Sequence, residues 1–136
     1  MKRVLVTGIG GDIGQSIAQC VRNNEEDIFL IGTDVHNNHG GRLFVDNYFT
    51  IPPAKDPNYL NSMTNVVLDN NVDVTIPVNE NELNALVNCS HSLEVIHCGK
   101  EIVNTGLDKL ATMESLKTLG IHVPWTIDAD KEMPYD

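Results

Sequence analysis

Four glycines, Gly8, Gly10, Gly11 and Gly14, stand in the opening run VLVTGIGGDIGQSIAQ, where a β-branched apolar segment passes into helical periodicity. A strand, a glycine-rich turn and a helix in that order is the context in which closely spaced glycines carry chemistry. Gly8 permits a tight turn out of the strand, Gly10 or Gly11 lets the backbone approach an anion, and Gly14 lets the helix pack closely on the strand. Unsatisfied N–H groups at the helix start then favour a phosphate or a carboxylate. Asp34 lies twenty residues beyond Gly14 at the end of the next apolar run, where a dinucleotide-binding fold places the acid that holds a ribose hydroxyl. Packing alone is the competing explanation for glycines at a first βα turn. A phosphoryl-transferring P-loop is excluded, because Gly14 is followed by Gln15-Ser16 where Lys-Ser/Thr is required.

A second group of chemistry-bearing residues is the run Asn79-Glu80-Asn81-Glu82 after the apolar segment VDVTIPV. Asn79 suits a helix N-cap with Glu82 at the third helical position. Glu80 and Glu82 are then either first-turn acids that favour the helix dipole or groups that meet a substrate. His36 and His39 are three residues apart in a polar segment, but no third ligand stands at an informative spacing, so they read as solvated loop residues. No catalytic residue and no metal ligand can be assigned.

These groups need elements to hold them. Short β-branched runs alternate with helical periodicity, which predicts an α/β fold: a Rossmann-like, doubly wound, mostly parallel sheet of about five strands with helices on both faces. The strands are expected at Arg3–Thr7, Ile28–Thr33, Tyr48–Ile51, Val74–Pro77 and Leu93–His97. Ile13, Ile17, Cys20 and Val21 share one face of a first helix, and Leu60, Met63 and Val67 one face of a second. Leu83, Leu86 and Val87 form the stripe of the third helix behind Asn79. Thr105 with Asp108 suggests the cap of a fourth helix that stops at Gly120. The segment Asp34–Arg42 is polar and glycine-containing, and reads as a loop.

The chain has 136 residues, with 19 acidic and 9 basic side chains and a net charge of −10. One domain fits that length, and a two-lobed enzyme closing over a nucleotide normally needs about twice as much. The acidic balance, with no basic stripe, excludes broad contact with nucleic acid or an anionic membrane surface. Cys20, Cys89 and Cys98 form no C-x-x-C pair, which fits a reducing, cytoplasmic compartment better than a disulfide framework. No signal peptide or membrane span is legible. The oligomeric state is not readable from the sequence.

The spacing T-G-x-x-G-x-x-G from Thr7 to Gly14 resembles the cofactor turn of extended short-chain dehydrogenases and epimerases, which implies NAD(P). That family needs a Tyr acid with a Lys four residues on, and Tyr48, Tyr59 and Tyr135 all lack it. The chain could only be the NAD(P)-binding half of such an enzyme. A stand-alone ligand-binding module without chemistry is the third reading.

Nearly the whole chain resembles a different family, the N-terminal pre-ATP-grasp domain of ATP-grasp enzymes of the carbamoyl-phosphate synthase large-subunit-like group. The residues that carry the resemblance are the glycine-rich opening, IGTD at Ile31–Asp34, VDNYFTIPPAKDPNYL at Val45–Leu60, VDVTIPVNENEL at Val72–Leu83 and LDKLATMESLKTLGIHVPWT at Leu107–Thr126. The resemblance implies a ligase in which ATP activates a small carboxylate as an acyl phosphate for attack by an amine or similar nucleophile. It places Gly8, Gly10, Gly11 and Gly14 in a turn facing the cleft, and Asn79, Glu80 and Glu82 on the substrate side. Lys109 matches a position where some relatives contact ATP phosphates with a basic residue. Residues 1–124 would be the pre-ATP-grasp domain and 125–136 the start of a linker into a missing C-terminal ATP-grasp domain. ATP and Mg²⁺ belong to the longer protein, and this chain, whether a piece of it or a natural truncation, is expected to be inactive alone and to bind neither tightly.

Overall fold

A computed structural model describes residues 1–24, 27–89, 93–128 and 130. Four strands, β1 (Lys2–Val6), β2 (Ile28–Asp34), β3 (Asn47–Thr50) and β4 (Val74–Ile76), form one sheet in the order β3-β2-β1-β4. Every pairing is parallel, with Leu5 opposite both Ile31 and Thr75. Among the described residues the expected fifth strand reduces to a single parallel bridge between Thr75 and Val95. Thr75 N donates to Glu94 O at 2.8 Å and Ile96 N to Thr75 O at 2.9 Å, so the backbone meets the sheet edge without a run of ladder pairs.

The helices are α1 (Asp12–Asn24), α2 (Tyr59–Asp69), α3 (Glu80–Val87), α4 (Lys100–Leu107) and α5 (Lys109–Thr118), and a 3-10 turn over Gly40–Phe44 overlaps the end of the segment read as loop and runs past it. Contacts divide the chain into two compact units, Met1–His97 and Cys98–Asp136. In the first unit both sheet faces are covered, which is why the strands read as continuous apolar runs. On one face Leu5 and Ile31 pack with Ile51, Tyr59, Met63 and Leu86, drawing α2 and α3 onto the sheet. On the other, Val4, Val6 and Leu30 pack with Ile9 and Ala18, under α1. Each such large side chain contributes roughly 1.5–3 kcal/mol of burial.

The periodicity of α2 holds: Met63 and Val67 are buried, and Leu60 packs at their edge. The predicted face of α1 is rotated. Gly14 and Ala18 are buried and Ile17 and Val21 half-buried, whereas Ile13 is 62% exposed and Cys20 is exposed. A helix that lies this close to a sheet presents its small residues to it, so Gly14 and Ala18 are buried with Ile17 and Val21 packed beside them, while Ile13 and Cys20 fall outside the face.

The second unit corrects the capping expectation. Thr105 lies inside α4, and Asp108 is the N-cap of α5, its carboxylate accepting from Leu110 N at 2.9 Å and Ala111 N at 3.1 Å. Gly120 ends this helix as expected, with φ +75° and the paired bonds Gly120 N to Lys117 O and Ile121 N to Leu116 O. No helix among the described residues is long and apolar enough to cross a membrane.

Candidate functional site

The strand order sets the place. After β1 the chain adds β2 and β3 on one side and then returns to place β4 on the other, so the order reverses between β1 and β4. In an open parallel sheet that reversal leaves a crevice beyond the carboxyl ends of the strands. Thr7 and Gly8 leave β1 there, Asp34 ends β2, and Val78 and Asn79 follow β4. A cleft of about 450 Å³ opens at this edge, lined by Val35, Pro53, Lys55, Asn79, Asn81 and Glu82 among others.

Gly8 takes φ +57°, the left-handed conformation that favours glycine. A Cβ on Gly14 would lie 2.5 Å from the Gly8 carbonyl oxygen, so α1 rests directly on the turn. Gly41 is under a tighter restriction, since a Cβ there would lie 1.9 Å from the Ile9 carbonyl oxygen. The backbone of the turn is largely spoken for: Ile9 N donates to Thr33 O at 3.1 Å and Gly11 N to Gly8 O at 3.1 Å. Gly10 N donates to Asp34 Oδ2 at 2.8 Å, and the other Asp34 oxygen accepts from His36 N at 2.9 Å. Asp34 is 8% exposed, and both its oxygens hold backbone amides.

Across the turn, Glu82 is 4% exposed although it is an acid on the first turn of a helix. Its N–H donates to Asn79 Oδ1 at 2.9 Å, as an N-cap requires. Its side chain does not reach back to the cap backbone in the usual capping box. Oε2 instead accepts from the Thr7 hydroxyl at 2.7 Å and from Asn79 Nδ2 at 2.5 Å. The same oxygen lies 3.7 Å from where a Gly8 Cβ would be, so the carboxylate borders the glycine turn. Burial raises the Glu82 pKa above the ordinary carboxylate range; the Thr7 hydrogen bond opposes the rise and the Asp34 charge adds to it. Tyr59, fully buried, is raised by burial and then by the Glu82 charge, and its hydroxyl has no hydrogen-bond partner among the described residues.

The structure thus brings Gly8, Gly10, Gly11, Gly14, Asp34, Asn79 and Glu82 to one edge. Glu80 is exposed on the first turn of α3. Lys109 begins α5 in the second unit, its Nζ donating to Gly106 O at 3.4 Å, and is not part of the cluster described for the first. Sequence reasoning passed over Thr7 and Tyr59. Thr7 carries only the weak signal of a polar residue between a buried strand and a glycine, and Tyr59 carries none. His39, read as solvated, is half-buried with its ring 5.1 Å from that of Tyr48, edge to face. No group of three or more His, Cys, Asp or Glu side chains among the described residues could hold a metal ion.

The structure is similar to that of N5-carboxyaminoimidazole synthetase from Staphylococcus aureus complexed with ADP, with a TM-score of 0.63 and 19% identity over 88% of this chain and 30% of that one. It is also similar to glycinamide-RNase-transformylase T from Mycobacterium tuberculosis, with a TM-score of 0.65 and 15% identity over 88% of this chain and 36% of that one. At such identities the likeness is one of fold, and the chain spans about a third of the length of either protein. A search of curated protein sequences found no match. The model of the PylC-like N-terminal domain matches residues 4–100, which takes in the glycine turn, Asp34 and the α3 acids. The chain therefore belongs to the PylC-like N-terminal domain family, and the expected resemblance to a pre-ATP-grasp N-terminal domain holds.

Proposed function

We propose that this chain is the substrate-side, N-terminal domain of an ATP-dependent carboxylate–amine ligase, and that it performs no turnover alone. The observation that carries the proposal is Glu82: an acid held 4% exposed at the topological switch point, bordering both the glycine turn and the cleft. A buried carboxylate costs folding free energy, and proteins keep such groups where function uses them. In this reading Gly8, Gly10, Gly11 and Gly14 form the wall of the cleft, and Asp34 fixes the wall by holding Gly10. Asn79, Glu80 and Glu82 receive the polar end of the substrate.

ATP and Mg²⁺ do not fit the donor set of the first unit. A phosphate at the glycine turn would meet the Asp34 carboxylate already bound to Gly10 N, with the Glu82 carboxylate on its other side. Nucleotide and metal are assigned to a C-terminal ATP-grasp domain, with Lys109 as the one residue of this chain proposed to approach the phosphates. The chain's part in the reaction is to hold the small carboxylate substrate by hydrogen-bond-donating or cationic groups that can face Asn79 and Glu82, with its own carboxylate directed away from these acids, and to keep one side of it from water. The greater length of the similar structures, of which this chain spans about a third, supports this division of labour.

The test is direct. The pure chain, given ATP, Mg²⁺ and candidate carboxylates, is expected to release no ADP, and to bind ATP or NADH no tighter than about millimolar, on the order of 4 kcal/mol. In a polypeptide that also carries an ATP-grasp lobe, substrate-dependent ADP release is expected and Glu82→Gln should reduce it. Steady ATP hydrolysis by the chain alone overturns the assignment of the nucleotide to another domain, and micromolar NADH binding revives the dehydrogenase reading.

A further inference from the structure

Glu82 can serve a ligand only if its carboxylate is held in one place, and the bonds around it show what holds it. Thr7 follows directly on β1, and its hydroxyl sits between two partners. Val78 N donates to Thr7 Oγ1 at 3.1 Å, and Thr7 Oγ1 donates to Glu82 Oε2 at 2.7 Å. The first bond fixes the second: with Val78 N–H directed at the oxygen, the single hydroxyl proton is left for the carboxylate. Asn79 Nδ2 donates to the same Oε2, and Asn79 Oδ1 anchors the Glu82 backbone. Thr7 and Val78 both follow parallel, directly paired strands, so their separation is set by the sheet. The hydroxyl is consequently a rigid post, and both described bonds to the carboxylate fall on Oε2, which leaves Oε1 for a ligand.

We propose that Thr7 is a positioning residue for the cleft: its hydroxyl fixes the Glu82 side chain and favours its ionised form. The inference rests on the substrate-side reading for its purpose but not for its test. Thr7 works against its surroundings. The charge that bears on Glu82 is that of Asp34 across the turn; Tyr59 from α2 is neutral and is itself raised by the Glu82 charge, and Lys55 lines the same cleft with the uncharged Asn79. Asp34 and burial both favour the neutral acid. A donor bond to the carboxylate acts in the opposite sense. Threonine suits the post better than serine because branching at Cβ limits its χ1 freedom.

The side-chain carboxyl resonance of Glu82, assigned by its loss in Glu82→Gln, can be titrated in the ligand-free 136-residue chain. Thr7→Val keeps shape and removes the hydroxyl, and the Glu82 midpoint is expected to move up. Thr7→Ser should return it to the wild-type position. An unchanged midpoint in a Thr7→Val chain whose amide spectrum remains that of the folded protein overturns the proposal. Should that variant not fold, a slowly exchanging Thr7 hydroxyl proton resonance with a cross-peak to the Glu82 side chain in the wild-type chain reads the bond directly. Its presence supports the proposal and its absence overturns it. Failure of the substrate reading shows elsewhere, as ligand binding unaffected by Glu82→Gln, so the two failures are distinguishable.

Discussion

Glu82 is the residue at which stability and function pull apart. An acid whose pKa is raised in the folded state binds more protons there than in the unfolded chain, over the window between the ordinary carboxylate value of 4.5 and the raised folded one. Unfolding free energy then falls as pH rises through that window, the reverse of the usual salt-bridged carboxylate. Glu82→Gln keeps an oxygen able to accept from Thr7 and Asn79 and removes the buried charge. The variant is expected to be more stable than the wild type at pH 7, with the gap closing toward pH 4. Urea denaturation at several pH values checks this, and a gap that widens on acidification contradicts it. The sequence made Glu82 visible as a first-turn acid with two equal explanations. Its burial was not visible, because nothing local says that Thr7, 75 residues earlier, stands opposite.

At the scale of elements, the glycine turn is held from both sides. The Asp34 carboxylate ties the end of β2 to Gly10, and the 3-10 turn closes on Ile9 through Gly41. Gly41→Ala would push a methyl carbon to 1.9 Å from the Ile9 carbonyl oxygen, and backbone on backbone has no soft side chain to yield. A loss of about 3 kcal/mol or more is expected, at the upper end of overpacking costs. Gly40→Ala, with nothing within 4 Å of the new carbon, is the matched control and should change stability by less than about 0.5 kcal/mol. Thermal or urea unfolding of the pair decides the matter, and equal losses would remove the close contact from the account. The segment that holds Gly41 read as polar loop because its close approach is to backbone far away in sequence, at Ile9. The first-turn glycines were legible because they stand within a few residues of one another, between a strand and a helix, although Gly10 takes its partner from distant Asp34. In the same way, Gly120 was legible as a helix stop, while Asp108 and Thr105 could not be ranked as caps until the break between α4 and α5 was in place.

For the molecule as a whole, charge is the dominant property. Ten net negative charges on 136 residues repel one another in the compact state. Among the described residues the N-terminal amine pairs with Asp27 and Arg22 with Asp46, and 19 acids against 9 bases leave an excess of acids that cation pairing cannot match. Raising the salt concentration from about 10 mM to about 200 mM shortens the screening length from roughly 30 Å to less than 10 Å. The melting temperature is expected to rise by about 4 °C, which corresponds to roughly 1 kcal/mol for a chain of this size. A melting temperature that falls with added salt would show that local ion pairs outweigh the net repulsion.

The sequence by itself determined the α/β class, the parallel sheet with helices on both faces, the glycine turn at the first crossover and the resemblance to pre-ATP-grasp domains. The first three rest on periodicity or on residues within one turn of each other, and the resemblance on short segments spread from the opening run to Thr126. Tertiary structure alone decided that the fifth strand is a single bridge, that α1 faces the sheet with Gly14 and Ala18, and that both Asp34 oxygens hold backbone amides. It also decided that Thr7, Gly8, Asn79 and Glu82 meet. Those outcomes depend on strand order, because β4 returns to lie beside β1 and brings a residue near position 80 onto the turn at position 8. Local patterns carry no information about which strands become neighbours, and the cleft lies where that choice was made.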